Sequence, residues 1–316
     1  MVRLLLWTVG FVAAVLLVTY WWAGRNLKVL DADARTDAPG AFLEVSDGTL
    51  HYLVQGPEDG EIVVMVHGFS TPSFIFEQNA AALVEAGFRV VRYDHFGRGW
   101  SDRPKGPYDE AFYDRELMEL LDGLGLSEPV RLVGLSMGGP IVMSFAGRHP
   151  ERVSDIFLLV PAGLDVTGGN TGAAKLVRMP VVGDWIWRVF GRGILLGNSQ
   201  LDESALDPAN RLQGDVARQL DFRGYREALL STMRHFPMSD RARLFSTVSD
   251  KTKIPVVAVF GDADDTIAVS SAAKLVALIP RADVRIIAGG THGLNYQRHA
   301  EINPMLVEWA SGEAAD

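Results

Sequence analysis

Residues 130–138 read Val-Arg-Leu-Val-Gly-Leu-Ser-Met-Gly, an apolar run that ends in glycine, serine and glycine at alternate positions. This spacing is the G-x-S-x-G pattern of a nucleophile elbow, in which a sharp turn between a strand and a helix exposes a serine hydroxyl. A side chain at Gly134 or Gly138 would collide with neighbouring backbone in such a turn. The turn also strains the backbone of Ser136, and proteins keep such strain mainly at functional sites. The stretch therefore predicts a strand, an exposed nucleophilic serine and a helix, in that order.

The composition limits the classes of function that this chain can have. Its 316 residues, 48% of them hydrophobic, suffice for one large domain or for one domain with an insertion. A net charge of −9 without a basic stripe argues against nucleic-acid binding, which needs clustered lysine and arginine side chains. The chain has no cysteine, which excludes disulfides, thiolate metal sites and a cysteine nucleophile. The chemistry predicted below requires no metal and no cofactor.

An uncharged apolar run, residues 4–23, lies at the N-terminus and has aromatic residues near both ends. A helix of that length would span roughly 30 Å, the thickness of the hydrocarbon core of a bilayer. We therefore predict a single-pass membrane anchor over residues 1–24 and a juxtamembrane linker over residues 25–41. A cleaved signal peptide and a buried helix are the alternatives, although the run is longer than a signal-peptide core. The usual insertion of such anchors favours a catalytic domain on the periplasmic or other extracytoplasmic side of the membrane.

Apolar stretches that read as strands alternate with amphipathic stretches that read as helices through most of the chain. After a hairpin at 42–56, strands are predicted at 62–66, 90–93, 130–135, 156–160, 255–260 and 284–288. Strands that are apolar throughout and separated by helices indicate the α/β class, with a mostly parallel sheet covered on both faces. A long stretch without a convincing strand interrupts this order. We predict a core over residues 42–162 and 252–316 and an inserted helical cap over residues 163–251.

A serine hydroxyl becomes a good nucleophile only when a base takes its proton, and a third group must orient that base. In the elbow architecture the acid and then the histidine follow the serine along the chain. Of the seven histidines, only His292 occupies a loop directly after a late strand, between glycines that let the loop reach over the sheet. Three carboxylates follow the preceding strand: Asp262, Asp264 and Asp265. We place Asp264 first and Asp262 second as the group that orients His292.

Two backbone N–H groups are predicted to stabilise the negative charge that develops on the substrate oxygen. One is the N–H of Met137, directly after the serine and at the start of a helix. The other belongs to the loop His67-Gly68-Phe69, after the strand at 62–66, and is assigned to Phe69. His67 is predicted to brace this loop rather than to transfer protons.

The chain resembles the α/β-hydrolase superfamily over residues 42–312. The motifs that carry this resemblance are His67-Gly68-Phe69, Asp94-His95-Phe96-Gly97-Arg98-Gly99-Trp100-Ser101, Gly134-Leu135-Ser136-Met137-Gly138-Gly139, Gly261-x-x-Asp264 and Thr291-His292-Gly293. The G-x-x-D pattern of the superfamily favours Asp264 over Asp262. Dehalogenases and epoxide hydrolases of the superfamily carry aspartate at the nucleophile position, so Ser136 argues against both activities. The resemblance implies the α/β-hydrolase fold with a helical cap.

Within the superfamily, an N-terminal membrane helix on a capped core resembles the membrane-anchored monoacylglycerol lipases and the bacterial inner-membrane phospholipase A type. This resemblance implies acyl esters of lipids as substrates, the membrane bilayer as a partner and a homodimeric assembly. We therefore expect a membrane-anchored serine hydrolase that cleaves carboxylic esters. Soluble meta-cleavage-product hydrolases and simple carboxylesterases share the same core motifs. Hydrolysis of a C–C bond or an amide by the same triad, or a non-catalytic binding module, are the alternatives.

The predicted cap contains an unusually apolar stretch, residues 179–196, in which three aromatic side chains lie close together: Trp185, Trp187 and Phe190. Such side chains commonly pack a cap onto its core. The functional hypothesis is that they bind substrate by lining an acyl-chain pocket, or that they touch the bilayer, because large apolar patches mark such sites.

Overall fold

The computed structural model describes residues 1–167, 171–197 and 211–312 of the chain. Its strands, in chain order, are β1 (Ala41–Val45), β2 (Gly48–Gln55), β3 (Ile62–Val66), β4 (Arg89–Tyr93), β5 (Val130–Leu135), β6 (Val153–Leu159), β7 (Val256–Gly261) and β8 (Asp283–Ile287). Its α-helices are α1 (Val2–Trp22), α2 (Glu77–Glu85), α3 (Glu110–Gly123), α4 (Gly138–Arg148), α5 (Gly172–Arg178), α6 (Val182–Leu196), α7 (Arg211–Gln219), α8 (Tyr225–His235), α9 (Ala242–Lys251), α10 (Ser270–Leu278), α11 (Leu294–Gln297) and α12 (His299–Ala310).

The strands form one eight-stranded sheet in the order β1-β2-β4-β3-β5-β6-β7-β8. Strand β2 pairs antiparallel with β1 and β4, and the other pairs are parallel. Because successive side chains of a strand point to opposite faces, alternate residues of β3 enter two apolar cores. Val64 and Val66 pack on the side of α3 and α4, whereas Val63 and Met65 pack on the side of α2 and α12. The predicted parallel sheet with helices on both faces is confirmed.

The turn between β5 and α4 has the geometry that the G-x-S-x-G pattern predicts. Ser136 adopts a left-handed backbone with a φ of 52°, which costs a non-glycine residue about 1–3 kcal/mol. A Cβ atom at position 138 would lie 2.1 Å from the carbonyl oxygen of Val66. A Cβ atom at position 134 would lie 2.8 Å from the carbonyl oxygen of Gly138. Only glycine fits these two positions, so the helix can begin directly beside the central strands.

The segment predicted as a cap, residues 163–251, contains the helices α5 to α9. Its described residues include no named strand, although an isolated bridge joins Val166 to Ile267. Residues 168–170 and 198–210 of the predicted cap lie outside the described part of the chain. The division of the chain into core and cap therefore stays a prediction.

Helix α1 is, among the described residues, the one helix long and apolar enough to cross a membrane, and none of its residues is buried. The predicted linker that follows it packs against the rest of the protein. Lys28 forms an isolated bridge with Phe222, between α7 and α8, and Arg35 Nη2 donates to Asp102 Oδ1 at 2.7 Å. These contacts hold the C-terminal end of α1 close to the folded part.

Candidate active site

Three strands of the sheet bring the predicted triad together at their carboxyl ends. Ser136 follows β5, Asp264 follows β7 and His292 follows β8. Nε2 of His292 lies 2.9 Å from Ser136 Oγ, and its Nδ1 lies 2.8 Å from Asp264 Oδ2. A carboxylate beside Nδ1 makes that nitrogen the N–H donor, which leaves Nε2 able to accept the serine proton. The three side chains that the sequence predicts thus form one hydrogen-bonded series.

The structure also distinguishes between the carboxylates that follow β7. The side chain of Asp264 is 1% exposed, and its Oδ1 accepts hydrogen bonds from the backbone N–H groups of Thr266 and Ile267, in the same loop, at 2.8 Å each. Asp262 is exposed, and its Oδ1 accepts from the backbone N–H of Gly289 at 2.6 Å. Asp264 is the carboxylate that contacts His292, as the resemblance implied.

The loop that follows β3 lies against the serine. A Cβ atom built on Gly68 would lie 3.4 Å from Ser136 Cβ, so the backbone of this loop approaches the nucleophile closely. Met137 is buried and is the N-cap residue of α4. Within the described part of the chain, neither the N–H of Phe69 nor that of Met137 has a hydrogen-bond acceptor. Both N–H groups therefore keep their hydrogen-bonding capacity unused, and their role as donors to an oxyanion stays a prediction.

His67 braces this loop, as the sequence predicts. Its Nε2 accepts a hydrogen bond from the backbone N–H of His95 at 2.9 Å, so the ring proton is on Nδ1. Nδ1 then donates to the carbonyl of Gly68 at 2.9 Å. Because the carbonyl and N–H of a trans peptide point in opposite directions, this bond also sets the direction of the Phe69 N–H. Burial, and after it the neighbouring His95, lowers the pKa of His67 well below its usual value and favours this neutral tautomer.

A buried carboxylic acid lies behind His67, and the sequence analysis did not identify it. Glu116 Oε1 lies 2.5 Å from His95 Nδ1, and Oε2 accepts from the backbone N–H of Phe96 at 2.7 Å. Burial raises the pKa of Glu116 to about 8, and burial together with the charge of Arg98 lowers the pKa of His95 to about 3. The pair is therefore neutral at pH 7, with the acid as the donor to Nδ1. The available sequence signal was a glutamate on the apolar face of a predicted amphipathic helix.

Asp94 supports the loops around the site in a similar way. Its two oxygens accept hydrogen bonds from the backbone N–H groups of Ser73 and Trp100, at 2.9 Å each, and from Nδ1 of His51 at 2.7 Å. Burial alone would raise the pKa of Asp94, but the hydrogen bond and the charge of His51 hold it well below its usual range. The motif at residues 94–101 therefore orders neighbouring loops and supplies no reacting group.

A cavity of about 700 Å³ opens over Ser136 and His292. Apolar side chains from the core and from the predicted cap form much of its wall, among them Phe69, Ile75, Leu135, Met233, Phe236 and Ile267. A cavity of this size and lining is typical of a site for a small or chain-like organic ligand.

The three aromatic residues predicted to bind substrate do not line this cavity. Trp187 is 5% exposed and donates from Nε1 to the carbonyl of Arg226 on α8 at 2.7 Å, so it packs between two helices. Trp185 donates to the carbonyl of Leu16 on α1 at 3.0 Å. Phe190 is 53% exposed and lies edge-on to the ring of Trp185. The prediction of an acyl pocket built from Trp185, Trp187 and Phe190 is wrong, because α6 directs these side chains at other helices and at solvent.

The site combines a hydroxyl, a base with an oriented tautomer and two unused backbone donors. These groups suffice for nucleophilic attack on a carbonyl carbon without a cofactor. Among the residues that the structure describes, no group of three or more histidine, aspartate and glutamate side chains is placed to hold a metal ion.

Known proteins resemble this chain over most of its length. A family model described as the alpha/beta hydrolase fold matches residues 61–298. A putative non-heme chloroperoxidase of Synechocystis sp. is 28% identical over 266 residues, which cover 79% of this chain and 91% of that protein. A 2-hydroxy-6-oxononadienedioate/2-hydroxy-6-oxononatrienedioate hydrolase of Burkholderia vietnamiensis is 27% identical over 282 residues, which cover 84% of this chain and 93% of that protein.

Among solved structures, the enol-lactonase of Burkholderia xenovorans LB400 is similar with a TM-score of 0.72 at 21% sequence identity. The similarity covers 86% of this chain and 100% of that one, and it shows a shared fold. The family model spans more than half of the chain, and both relatives match along nearly their whole length. The chain therefore belongs to the α/β hydrolase fold family, and it is a hydrolase of that family.

Proposed function

We propose that this chain is a membrane-anchored serine hydrolase that cleaves carboxylic esters of lipid-like substrates through an acyl-enzyme intermediate. The observation that carries the proposal is the hydrogen-bonded series Ser136–His292–Asp264, with its distances of 2.9 and 2.8 Å. In such a series the hydroxyl gains a base, and the carboxylate fixes the tautomer of that base and stabilises its protonated form.

In the proposed reaction, His292 Nε2 takes the proton of Ser136 as Oγ attacks the ester carbonyl. The oxyanion of the tetrahedral intermediate accepts hydrogen bonds from the N–H groups of Phe69 and Met137. Collapse of the intermediate expels the alcohol, which receives the proton from His292, and leaves the acyl group on Ser136. The same imidazole then deprotonates a water molecule, which attacks the acyl carbonyl. The bond between the acyl carbon and Ser136 Oγ breaks, Oγ takes the proton back from His292, and the acid leaves.

The preference for lipid-like esters rests on the cavity and on the N-terminus. The cavity of about 700 Å³ has apolar side chains along much of its wall, and these suit an acyl chain. Helix α1 has the length and composition of a membrane span. An enzyme held at the bilayer would meet lipid esters where they are concentrated.

Contacts between α1 and α6 support a retained anchor. Trp185 Nε1 donates to the carbonyl of Leu16 at 3.0 Å, and Arg188 Nε donates to the carbonyl of Tyr20 at 3.1 Å. A leader that is cleaved would need no partners on the folded part. On this proposal the bilayer surface lies beside the exposed apolar residues of α6, which are Val182, Phe190 and Ile194.

A second candidate is hydrolysis of a C–C bond by the same triad. It is favoured by the 27% identical relative, whose name describes the hydrolysis of dioates. A dioate substrate carries carboxylate groups, and Arg178 could meet one of them. Arg178 lines the cavity, and its buried Nε has no hydrogen-bond partner in the described part of the chain.

A substrate panel on the purified full-length protein tests the proposal. It contains p-nitrophenyl butyrate and decanoate, a monoacylglycerol, a phosphatidylcholine and a 2-hydroxy-6-oxo-dienedioate. We expect turnover of the esters, faster with the decanoyl than with the butyryl chain, and no turnover of any ester by Ser136→Ala. Faster cleavage of the dienedioate than of every ester would establish the second candidate. Ester hydrolysis by Ser136→Ala at the wild-type rate would contradict both.

Anchoring, orientation and assembly are tested in cells that express the full chain. After alkaline extraction we expect the protein in the membrane pellet, with an unshortened N-terminus by intact mass. Protease added to spheroplasts is expected to digest an extracytoplasmic catalytic domain, and cross-linking is expected to give a homodimer. A shortened protein in the soluble fraction would contradict the retained anchor.

A further inference from the structure

Three successive carbonyl groups hold the loop that carries the Phe69 N–H, here called the oxyanion loop (residues 67–70). The carbonyls of residues 68, 69 and 70 accept hydrogen bonds from three different buried side chains. The donors are His67 Nδ1 at 2.9 Å, Arg98 Nε at 3.0 Å and Tyr225 Oη at 2.6 Å. The peptide groups on both sides of Phe69 are therefore fixed in direction.

Two of these donors connect the oxyanion loop to helix α8, in the predicted cap. Tyr225 is the first residue of α8, and Arg98 Nη2 donates to Thr232 Oγ1, two turns further along, at 2.9 Å. Residues seven apart lie on the same face of a helix. Between them, Ala228 packs so closely on Gly97 that a Cβ atom at Gly97 would lie 2.3 Å from the Ala228 Cβ. One face of α8 thus lies directly on the loops that support the site.

The burial of the charged Arg98 side chain costs free energy, which suggests that its position has a role. Its side chain is fully buried, and within the described residues no carboxylate forms an ion pair with it. Among the described residues, its other hydrogen-bond partners besides Phe69 and Thr232 are also neutral oxygens: the carbonyl of Phe96 at 3.1 Å and the hydroxyl of Tyr113 at 3.0 Å. A well-packed apolar residue usually fills such a space at a lower free-energy cost than a buried charge. An apolar residue, however, could not form the directional hydrogen bonds by which the guanidinium joins the oxyanion loop to helix α8.

We infer that Arg98 and Tyr225 are positioning residues, through which helix α8 fixes the oxyanion loop and so the direction of the Phe69 N–H. The inference rests on the proposed function, because that function gives the Phe69 N–H its role in the transition state. Loss of the Arg98 bond frees the peptide group next to this donor, and loss of the Tyr225 bond frees the peptide group after that one. The result should be a slower reaction with unchanged substrate binding, because the donor acts mainly on the developing oxyanion.

Tyr225→Phe is the cleanest variant, because it removes only the hydroxyl that binds the loop and keeps the buried ring. Tyr108→Phe is its matched control. Tyr108 is 2% exposed and also donates from Oη to a backbone carbonyl, that of Pro104 at 3.0 Å, outside the oxyanion loop. The two variants therefore lose the same kind of hydrogen bond at the same degree of burial.

Arg98→Lys forms a second, independent pair with Arg103→Lys. Lysine at position 98 keeps the charge but lacks the two separate nitrogens, Nε and Nη2, with which the arginine fork binds Phe69 and Thr232. Arg103 is likewise largely enclosed, and it donates to the carbonyls of Ser101 and Gly99 at 3.2 and 3.1 Å, without contact to the oxyanion loop. If Arg98→Lys fails to fold, the tyrosine pair still decides the question.

Labelling by a fluorophosphonate separates positioning from folding, because its phosphoryl oxygen enters the oxyanion site as the serine attacks. The final extent of labelling measures the fraction of active protein, and the rate constant measures how well the loop is placed. We expect Tyr225→Phe to slow labelling and kcat about fivefold to twentyfold, less than the ~10²–10³ that a missing donor costs. KM for p-nitrophenyl butyrate and the final extent should stay within about twofold of wild type, as should every parameter of both controls.

Equal losses in Tyr225→Phe and Tyr108→Phe, or a loss confined to the extent of labelling, would overturn the inference, since either result indicates a merely structural role. Wild-type labelling rates in both Tyr225→Phe and Arg98→Lys would overturn it and leave the proposed function intact. A wild-type protein that takes no label would overturn the proposed function and the inference with it.

Discussion

Asp264→Asn changes one atom of the group that orients His292, and the structure indicates which way the new amide will face. Oδ1 of Asp264 accepts two backbone N–H groups at 2.8 Å each, so the asparagine must keep its carbonyl oxygen there. Its NH₂ group then takes the place of Oδ2, 2.8 Å from His292 Nδ1. Two N–H groups cannot face each other, so the imidazole proton moves to Nε2. That nitrogen then donates to Ser136 and can no longer act as its base.

The size of the effect follows from the loss of the base. In a well-studied Ser-His-Asp protease the same exchange lowers kcat by ~10⁴ through the wrong tautomer. At 1.36 kcal/mol per tenfold change in rate, this is about 5.4 kcal/mol of transition-state stabilisation. Because both backbone hydrogen bonds of Oδ1 survive, the free energy of unfolding should change by only about 1 kcal/mol. Catalysis and stability should therefore separate in this variant.

The assay is kcat for p-nitrophenyl butyrate, measured beside the urea midpoint of the same preparation. Asp262→Asn is the control, because its Oδ1 can go on accepting from Gly289 and the residue does not contact His292. We expect the control to keep kcat within about threefold of wild type. An Asp264→Asn variant with more than a tenth of wild-type kcat would show that Asp264 does not set the tautomer of His292, as would an equal loss in Asp262→Asn.

Three further predictions concern the buried acid, the helix α6 and the elbow. The folded-state pKa of Glu116, about 8, is above its unfolded value of 4.5, so the stability that its proton contributes is complete below pH 4.5 and is lost as the pH rises through 8. The amide of Glu116→Gln can replace the protonated acid and does not titrate. The stability of this variant relative to wild type should therefore increase from pH 5 to pH 8.5, as measured by urea midpoints at the two pH values. An equal difference in midpoint at both pH values would contradict this. Trp187→Ala should lower the free energy of unfolding by about 3–5 kcal/mol and Phe190→Ala by less than about 1 kcal/mol, because only the Trp187 side chain is buried. Neither variant should alter the dependence of activity on acyl length. A selective loss of long-chain activity would support the hypothesis that these residues line an acyl pocket. Gly138→Ala should abolish fluorophosphonate labelling, because its Cβ would lie 2.1 Å from a carbonyl oxygen, whereas Gly147→Ala in the same helix has 3.5 Å to its nearest neighbour and should be labelled normally.

Local patterns in the sequence sufficed for the elbow and for the order of its partners. The spacing of the glycines at 134 and 138 marks the turn within nine residues, although the backbone that excludes a side chain at 138 belongs to Val66, on another strand. A late strand followed by a glycine-rich loop identifies His292. The acid was harder, because Asp262 and Asp264 follow the same strand and both are near its end. Which of the two side chains points inward depends on the hydrogen bonds that its carboxylate forms with backbone N–H groups of the loop. The spacing of residues in the sequence does not show these bonds.

Contacts between distant segments could not be predicted in this way. The period of α6 shows which residues share a face, but not that Trp185 meets Leu16, 169 positions away along the chain. The roles of Arg98 and Tyr225 depend on the packing of α8 against the oxyanion loop, and the sequence does not show that packing. Glu116 was the exception that a pattern could have exposed, since a lone acid on an apolar helix face needs a buried partner.

If Ser136 is the nucleophile, the acyl group of the substrate is bound covalently to its Oγ during turnover, and this intermediate can be trapped. Wild-type protein would be mixed with excess p-nitrophenyl ester, quenched in acid within the first turnovers and digested for peptide mapping by mass spectrometry. We expect an acyl adduct on the peptide that contains Ser136, localised to that serine, and none in Ser136→Ala. An adduct on another residue, or continued turnover by Ser136→Ala without one, would contradict this expectation.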